Sequence, residues 1–119
     1  MSIFTEAQAK AILDEVIALS KADECTAVLA GSINGNIRFA LNNVSTSGIV
    51  DNTELAVTVA FGKRVGTASI NEFDDAALER VVRRAEDLAR LAPENPEFMP
   101  AIGKQSYRPS PTFSESTAA

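Results

Sequence analysis

A stretch in the second half of the chain, residues 55–91, has the clearest hydrophobic pattern and predicts a β-hairpin followed by a long helix. Large apolar residues at every second position of residues 55–61 indicate a strand with one buried face. A two-residue turn at Gly62-Lys63 brings the next strand back antiparallel, so that large side chains lie opposite small ones. The predicted cross-strand pairs are Leu55 with Ile70, Val57 with Ala68, and Val59 with Gly66.

Two amphipathic helices are predicted to cover one face of the sheet. The first begins at Thr5, whose side chain can form a capping box with Gln8. The second begins at Asp74 as N-cap and is stopped by Pro93. Both have apolar residues at three- and four-residue spacing on one side, as expected for helices packed on a core. In the second helix this side consists of Leu78, Val81, Val82, Ala85, Leu88, Ala89 and Ala92.

The region between the first helix and the hairpin alternates between apolar and polar residues and contains three turn signals. Asn-Gly between two alternating segments predicts a tight hairpin, because both residues tolerate positive φ. Residues 44–50 have strand propensity but a polar centre, which suits a sheet edge or a bulge at Gly48. The predicted turns are Asn34-Gly35, Asn42-Asn43 and Asp51-Asn52.

The predicted fold is therefore α+β. It is an antiparallel meander sheet of about five strands with two helices packed on one face, in the order α-β-β-β-β-β-α. Residues 1–92 are expected to form this domain. Residues 93–119 contain all five prolines of the chain and have no apolar periodicity, which is typical of a linker or tail.

Composition indicates one soluble domain and excludes several kinds of chemistry. The 119 residues are 45% hydrophobic and 23% charged, and the apolar runs are far shorter than the roughly twenty residues that cross a bilayer. A formal net charge of -5 opposes non-specific binding to nucleic acid. Without histidine, a histidine-containing zinc site and a triad with a histidine base are excluded within this chain. A single cysteine and a start without a secretory signal predict a cytoplasmic protein.

Three groups of residues suggest chemistry but have simpler explanations. The glycines and lysine of residues 62–66 lack the spacing of a phosphate-binding loop and are expected to turn a hairpin. Cys25 has no histidine or second cysteine to activate it and is predicted to be a buried thiol. Four arginines of the second helix have acidic neighbours, including Glu86, and predict a solvated, self-compensated face rather than a nucleic-acid site. They are Arg80, Arg83, Arg84 and Arg90, with Arg83–Asp87 and Glu86–Arg90 as expected pairs.

The candidate binding surface is the polar segment of residues 38–48. A strand rich in Ser and Thr presents backbone donors and acceptors with which an extended peptide or a partner strand can pair. The alternative is an ordinary edge strand blunted by polar residues. The candidate edge residues are Arg38, Asn42, Asn43, Ser45, Ser47 and Gly48.

Four segments of the chain, taken in order, resemble a known protein family. They are Arg38-Phe39 with Asn42–Gly48, Val57–Ser69, Arg84–Arg90 and Ala92–Phe98. Together they resemble the N-terminal domain of the TldD/PmbA family, historically called modulators of DNA gyrase. The resemblance implies a family of cytoplasmic, zinc-dependent metallopeptidases and their inactive partners, which act as dimers around an internal chamber and take short or unfolded peptides.

The resemblance also implies which parts this chain lacks. The family's zinc is bound by a His-Glu-x-x-x-His motif in a later domain, so zinc is expected only downstream, and the chain has no catalytic or metal residue to match. Residues 93–119 would then lead toward that missing domain. We expect a non-catalytic domain that contributes to dimer and chamber formation and to access of peptide substrates. Its expected partner is a second copy or a paralogous subunit, with no direct nucleic-acid contact and no membrane.

A different class of function is also open, namely a stand-alone module that binds a peptide or a protein through the polar edge strand. The lack of a catalytic set in this chain favours it. The coding sequence after Ala119 distinguishes the two hypotheses. A frame that continues to a His-Glu-x-x-x-His motif supports the peptidase subunit, and a stop codon supports the stand-alone module. A longer frame without histidines indicates an inactive partner subunit.

Overall fold

The structure is a computed structural model that describes residues 4–118. In that part of the chain, three antiparallel strands form one sheet, and two long helices pack against one of its faces. We call this face the helix-side face. The elements in chain order are α1 (Glu6–Leu19), β1 (Glu24–Ala40), β2 (Asn43–Phe61), β3 (Arg64–Ile70), α2 (Asp75–Leu91) and the short α3 (Glu115–Ala118), and the strand order is β1-β2-β3.

Local sequence signals set the starts of both long helices. The backbone N–H of Gln8 donates to Oγ1 of Thr5 at 3.3 Å, and the backbone N–H of Thr5 donates to Oε1 of Gln8 at 3.0 Å. This reciprocal arrangement confirms the predicted capping box. Asp74 is the N-cap of α2, as predicted, although its side chain forms no capping hydrogen bond. The helix ends shortly before Pro93, which cannot continue it.

The hairpin of β2 and β3 confirms the predicted turn and register. Gly62 has a φ of 60° in the two-residue turn, a conformation that glycine adopts without steric cost. On the outer face, the hydroxyls of Thr58 and Thr67 lie 3.0 Å apart and support the pairing. As predicted, Leu55 pairs with Ile70, Val57 with Ala68, and Val59 with Gly66.

The prediction of about five strands in the order α-β-β-β-β-β-α is wrong. The described residues form three strands in the order α-β-β-β-α-α, although the fold is α+β. Asn34-Gly35 and Asp51-Asn52 are not turns, because the first lies inside β1, opposite Val50 and Ile49, and the second lies inside β2, opposite Ile33 and Ser32. β1 and β2 therefore form one long hairpin where four shorter strands were expected.

Side-chain alternation explains why the Asn-Gly signal is overridden. A tight turn at Asn34-Gly35 would place Ile33 and Ile37 on opposite faces of the resulting hairpin, because a two-residue turn pairs residue 33 with residue 36. In the straight strand both isoleucines have the same parity as Leu29 and share its face. Continuous pairing therefore keeps the large apolar side chains of β1 together, which a local turn propensity cannot do.

The real turn between β1 and β2 lies one residue earlier than predicted. Leu41 and Asn42 have φ values of 51° and 61°, the left-handed conformation that a tight hairpin turn requires at both central positions. The register shifts between Arg38 and Phe39, where β2 has an extra residue, Ser45. The bulge suggested at Gly48 is absent from the described hairpin, since that residue belongs to the regular part of the ladder.

The core lies between the helix-side face and the two long helices. α2 approaches β3 so closely that a Cβ on Gly66 would overlap the backbone of Ala85 and Ala89. Leu88, which was predicted to lie on the buried side of α2, is 46% exposed because it sits at the margin of that side. The buried apolar residues of the core cluster are Val16, Leu55, Val57, Val59, Ala68, Leu78, Val81, Val82, Ala85 and Ala89.

Beyond the helices, β1 and β2 continue as a two-stranded hairpin, which we call the arm (residues 30–52). Every residue of the arm is exposed, whereas Leu55 and Val57 further along β2 are buried under the helices. The molecule measures 58 Å along its longest axis and 33 and 32 Å along the other two. The sheet thus has a base with a core and an arm without one.

We predict that Gly66→Ala destabilises the protein by about 2 kcal/mol, because the added methyl group must push α2 away from the sheet. The matched control is Gly48→Ala in the arm, where the nearest atom to an added Cβ is Oδ1 of Asn36 at an ordinary 3.7 Å. This control should change stability by less than about 0.5 kcal/mol. Urea unfolding followed by circular dichroism measures both, and equal effects would contradict the proposed close packing.

Candidate functional site

All six candidate edge residues lie at the far end of the arm and are exposed. Two of them are tied to the backbone there. Oγ of Ser45 donates to the carbonyl of Arg38 at 3.1 Å across the bulge, and Nδ2 of Asn43 donates to the carbonyl of Leu41 at 3.4 Å at the turn. These bonds use the polar side chains to stabilise the end of the arm. Arg38 lies in β1, Asn42 in the turn, and Asn43, Ser45, Ser47 and Gly48 in β2.

The structure does not place these six residues on one face. Cross-strand partners share a face and neighbours along a strand alternate. Ser47 pairs with Ile37 and lies on the helix-side face, whereas Gly48 pairs with Asn36 and lies on the outer face, where Arg38 also lies. A bound segment would therefore meet the candidate residues mainly through the backbone, along the edge of β1 or that of β2.

The arm presents two backbone edges. β1 is an outer strand of the sheet, so its edge away from β2 pairs with no other described strand. β3 pairs with residues 55–61 of β2, so the corresponding edge of residues 43–52 extends beyond the sheet of the described residues. Such edges can pair with an extended peptide through main-chain hydrogen bonds. The candidate residues thus lie on a projecting hairpin that has one exposed backbone edge on each side.

The helix-side face of the arm carries five large apolar side chains beside the polar Ser47 and Asp51, and this apolar set was not singled out from the sequence. Its large side chains are more than half exposed, with Phe39 at 69% and Ile49 at 78%. The signal was the same alternation that defines the base of the sheet, which continues in phase beyond Leu29. We call this set the apolar stripe, and it consists of Ile33, Ile37, Phe39, Val44 and Ile49.

The arginines of α2 are largely engaged in ion pairs. Arg80 lies 3.3 Å from Glu72, and Arg90 lies 3.4 Å from Asp87. The predicted pair of Arg90 with Glu86 is present at 3.7 Å. The two pairs between exposed side chains, Arg80–Glu72 and Arg90–Asp87, contribute little to stability, but they compensate positive charge of the helix.

Glu86 is buried rather than exposed and joins the two long helices. Its side chain is only 1% exposed, and its Oε1 accepts a hydrogen bond from Nη1 of Arg83. Nη2 of the same guanidinium donates to the carbonyl of Leu19 at 2.8 Å, at the C-terminal end of α1. Arg83 therefore pairs with Glu86 and not with the predicted Asp87. This buried pair has a structural role, since it links α2 to the end of α1.

Cys25 is a half-buried residue at the start of β1. Burial raises the pKa of its thiol above the ordinary value of 9.0, the nearby Glu86 carboxylate raises it further, and a hydrogen bond with Ser20 acts in the opposite direction. A thiol with a raised pKa stays protonated at neutral pH, which makes it a poor nucleophile.

Residues 4–118 contain neither a cluster of metal ligands nor a membrane-spanning helix. That part of the chain contains no group of three or more His, Cys, Asp or Glu side chains that could hold a metal ion. None of its helices is long and apolar enough to cross a membrane. The features with functional potential in the described chain are therefore the two edges and the apolar stripe of the arm.

The structural class is that of a small α+β domain with a projecting arm. Comparison with known proteins identifies its family. The model of the family "PmbA/TldA metallopeptidase domain 1" matches residues 26–89, more than half of the chain. The chain therefore belongs to this family, which confirms the resemblance to the N-terminal domain of TldD/PmbA proteins. The match extends from the start of β1 to the last turn of α2.

A solved structure has the same fold. The chain is similar to TldE from Thermococcus kodakarensis with a TM-score of 0.68 and 17% sequence identity. The match covers 87% of this chain but 24% of the TldE chain, so this chain spans about a quarter of that protein's length. None of the curated proteins matches this chain.

We predict that Arg83→Ala destabilises the protein by roughly 3 kcal/mol, because it removes the hydrogen-bonded partner of the buried Glu86 carboxylate and leaves it only the more distant Arg90. Arg84→Ala, the exposed neighbour, is the matched control and should cost less than about 0.5 kcal/mol. Adding Glu86→Gln to the Arg83→Ala variant should recover part of the loss, since the buried charge is removed. Chemical unfolding checks all three, and equal effects of the two arginine substitutions would disprove a special role for the buried pair.

Proposed function

We propose that this chain is a non-catalytic domain of a TldD/PmbA-type metallopeptidase or of an inactive partner subunit. The family match over residues 26–89 is the observation that supports this most directly. The family domain is by its description the first domain of a metallopeptidase, and the matched TldE chain is about four times as long as the matched region. The role of such a domain is to assemble the subunits and to guide peptides toward a catalytic centre that lies elsewhere.

The form of the domain supports this division of labour. Its base is a packed α+β core, whereas its arm offers exposed backbone edges suited to an extended peptide and an apolar face suited to a protein. Any zinc belongs to a downstream domain, if the full-length protein is an active member of the family. A cytoplasmic location, a dimer around a chamber, and short or unfolded peptides as substrates are parts of the same proposal. The net charge of -5 favours peptides over nucleic acid as ligands.

A second candidate function is a stand-alone module that binds a peptide or protein strand. The edges of β1 and of residues 43–52 favour it, because strand addition requires only an accessible edge and no catalytic group. The two proposals agree that the arm makes the contact. They differ in whether a peptidase domain accompanies it, which the reading frame after Ala119 decides.

The purified 119-residue chain should contain no stoichiometric zinc and should not cleave peptides. The reason is chemical, since the chain has no histidine and its described part has no cluster of metal ligands. Elemental analysis after dialysis against zinc measures binding, and cleavage of a library of unstructured peptides measures activity. A zinc peptidase serves as positive control. Either one zinc per chain or turnover that a chelator abolishes would refute the non-catalytic role.

An extended, uncharged peptide should bind along residues 38–48 rather than to the arginines of α2. We expect Ser47→Pro, which removes a backbone donor, to raise the peptide Kd about tenfold, the worth of roughly one hydrogen bond. Ser47→Ala is the matched control, because it removes the hydroxyl but keeps the backbone N–H, and it should leave the Kd unchanged.

The competing basic site is tested with Arg80→Ala combined with Arg84→Ala, which spares the structural Arg83. This variant should bind the peptide normally, with little dependence on salt, because main-chain hydrogen bonds are not screened as charges are. Circular dichroism establishes that each variant is folded. Loss of binding only in the arginine variant, together with steep salt dependence, would contradict binding at the arm.

A further inference from the structure

Residues 92–101, which we call the strap, are held against the base of the sheet although their composition is that of a linker. Nη1 of Arg64 donates to the carbonyl of Ala92 at 3.3 Å, directly after α2. The backbone N–H of Asn95 donates to the carbonyl of Lys63 at 3.0 Å, in the turn between β2 and β3. The first half of the strap is therefore attached to the end of the β2–β3 hairpin.

The strap then turns and reaches β1, on the other side of the sheet. The side-chain oxygen of Asn95 accepts from the backbone N–H of Glu97 at 3.0 Å, and its carbonyl accepts from that of Phe98 at 3.1 Å, which forms the turn. The backbone N–H of Ala101 donates to the carboxylate of Glu24, 3.2 Å from Oε1 and 3.4 Å from Oε2. The strap is thus attached at its start, in its middle and at its end.

Burial agrees with a strap that crosses one corner of the outer face. Ala60 pairs with Glu24 and Val65 and alternates with the buried residues of β2, so it lies on the face opposite the helices. It is nevertheless only 4% exposed, and it lies between the attachment points of the strap. Phe98 is half-buried, whereas its neighbours on both sides are exposed. The crossing of the strap accounts for both observations.

The prolines of the strap favour this docking. Pro93, Pro96 and Pro100 each fix their own φ and restrict the residue before them, so an unattached strap has few conformations to lose. The conformational entropy lost on docking is then smaller than for an ordinary linker. The same composition that is typical of a linker therefore also suits an ordered segment held by a few contacts.

Residues 102–118 have no comparable attachment to the base. All of them are exposed. In this part of the described chain, hydrogen bonds join only residues at most four positions apart, such as Nε2 of Gln105 and the carbonyl of Gly103 at 3.1 Å. The contacts with the sheet thus end at Ala101.

β1 connects the end of the strap with the arm. Glu24, which holds Ala101, is the first residue of β1, and the same strand continues through the arm to Ala40. At about 3.3 Å per residue, its 17 residues span roughly 50 Å. This length is close to the 58 Å of the longest axis of the molecule. The end of the strap and the tip of the arm therefore lie at opposite ends of one strand.

We propose that the strap is a fixed exit for the polypeptide, which holds Ala101 at the end of β1 opposite the arm. Residues 93–119 then consist of an ordered strap and a mobile tail that begins after Ala101. The arm and the polypeptide that follows the strap are kept at a set distance, with the base between them. This inference goes beyond the proposed function, since it applies equally to a peptidase subunit and to a stand-alone module.

NMR spectroscopy of the full 119-residue chain tests the exit. The amides of Asn95 and Ala101 should exchange with solvent about tenfold or more slowly than those of residues 103–113, because they are hydrogen-bonded to the base. The heteronuclear 15N NOE should stay at the level of the sheet through Ala101 and fall beyond it. A strap that exchanges and moves like the tail would overturn the proposal.

Substitutions of Glu24 test the last attachment. Glu24→Ala should raise the exchange rate of the Ala101 amide about tenfold, to the level of the tail, whereas Glu24→Gln keeps a side-chain acceptor and should retain most of the protection. The matched control is Glu54→Ala, an exposed glutamate on the same face of the sheet, which should leave that rate unchanged. Circular dichroism checks that each variant is folded. Equal protection in Glu24→Ala and in the wild type would overturn the fixed exit at Ala101.

A second pair of variants tests the start of the strap. Arg64→Ala removes the donor to the carbonyl of Ala92 and should raise the exchange rate of the Asn95 amide several-fold. Lys63→Ala is the matched control, because the attachment uses only the backbone carbonyl of Lys63, and it should have no effect. Equal exchange rates in the two variants would overturn the role of Arg64 in holding the strap and, with it, the exit as proposed.

The set distance can be measured directly by double electron–electron resonance. In a Cys25→Ser background, spin labels on Ala40→Cys and Ile102→Cys should give one narrow distribution near about 50 Å, with excess unlabelled chain added to suppress signals between molecules. Adding Glu24→Ala should broaden it. A broad distribution without that substitution would overturn the proposal. None of these measurements bears on zinc content or peptide cleavage, so the exit and the non-catalytic role stand or fall separately.

Discussion

The close packing of α2 on β3 at Gly66 is the constraint on which the rest of the structure depends. Because no Cβ fits there, the backbone of α2 at Ala85 and Ala89 rests directly on the sheet. That position sets where the rest of the helix lies. It brings Arg83 to the end of α1, and it lets the Arg64 side chain donate to the carbonyl of Arg90 at 3.2 Å, where the last carbonyls of the helix need donors. A single small residue thus fixes the helix on the sheet, and the ion pairs follow from that placement.

The sheet has a covered part and an uncovered part because the helices extend over only part of β1 and β2. At the base, the alternating apolar residues are buried by the helices and provide the stability of the domain. In the arm (residues 30–52), the same alternation is left without a cover, so its apolar and backbone groups are available for contacts with other chains. The packed core and the exposed surface are therefore separated along one continuous hairpin.

Membership in the metallopeptidase domain family agrees with this separation. Three of the four arginines of α2 form ion pairs, Arg84 is exposed, and burial raises the pKa of the Cys25 thiol, which keeps it protonated at neutral pH. The exposed features of the domain are the backbone edges and the apolar stripe of the arm, which lie away from its core.

Local patterns in the sequence were sufficient for the helices, their caps, the Gly62-Lys63 hairpin and its register, because each depends on residues close together in the chain. The sequence also excluded histidine-based chemistry by composition alone. Only the tertiary structure decided that Asn34-Gly35 continues a strand, since that depends on pairing with residues distant in sequence and on keeping Ile33 and Ile37 on one face. It likewise decided that Glu86 is buried and the arm exposed. An apolar position is buried only where another element covers it. The alternation of residues along a strand does not show how far the helices extend over the sheet.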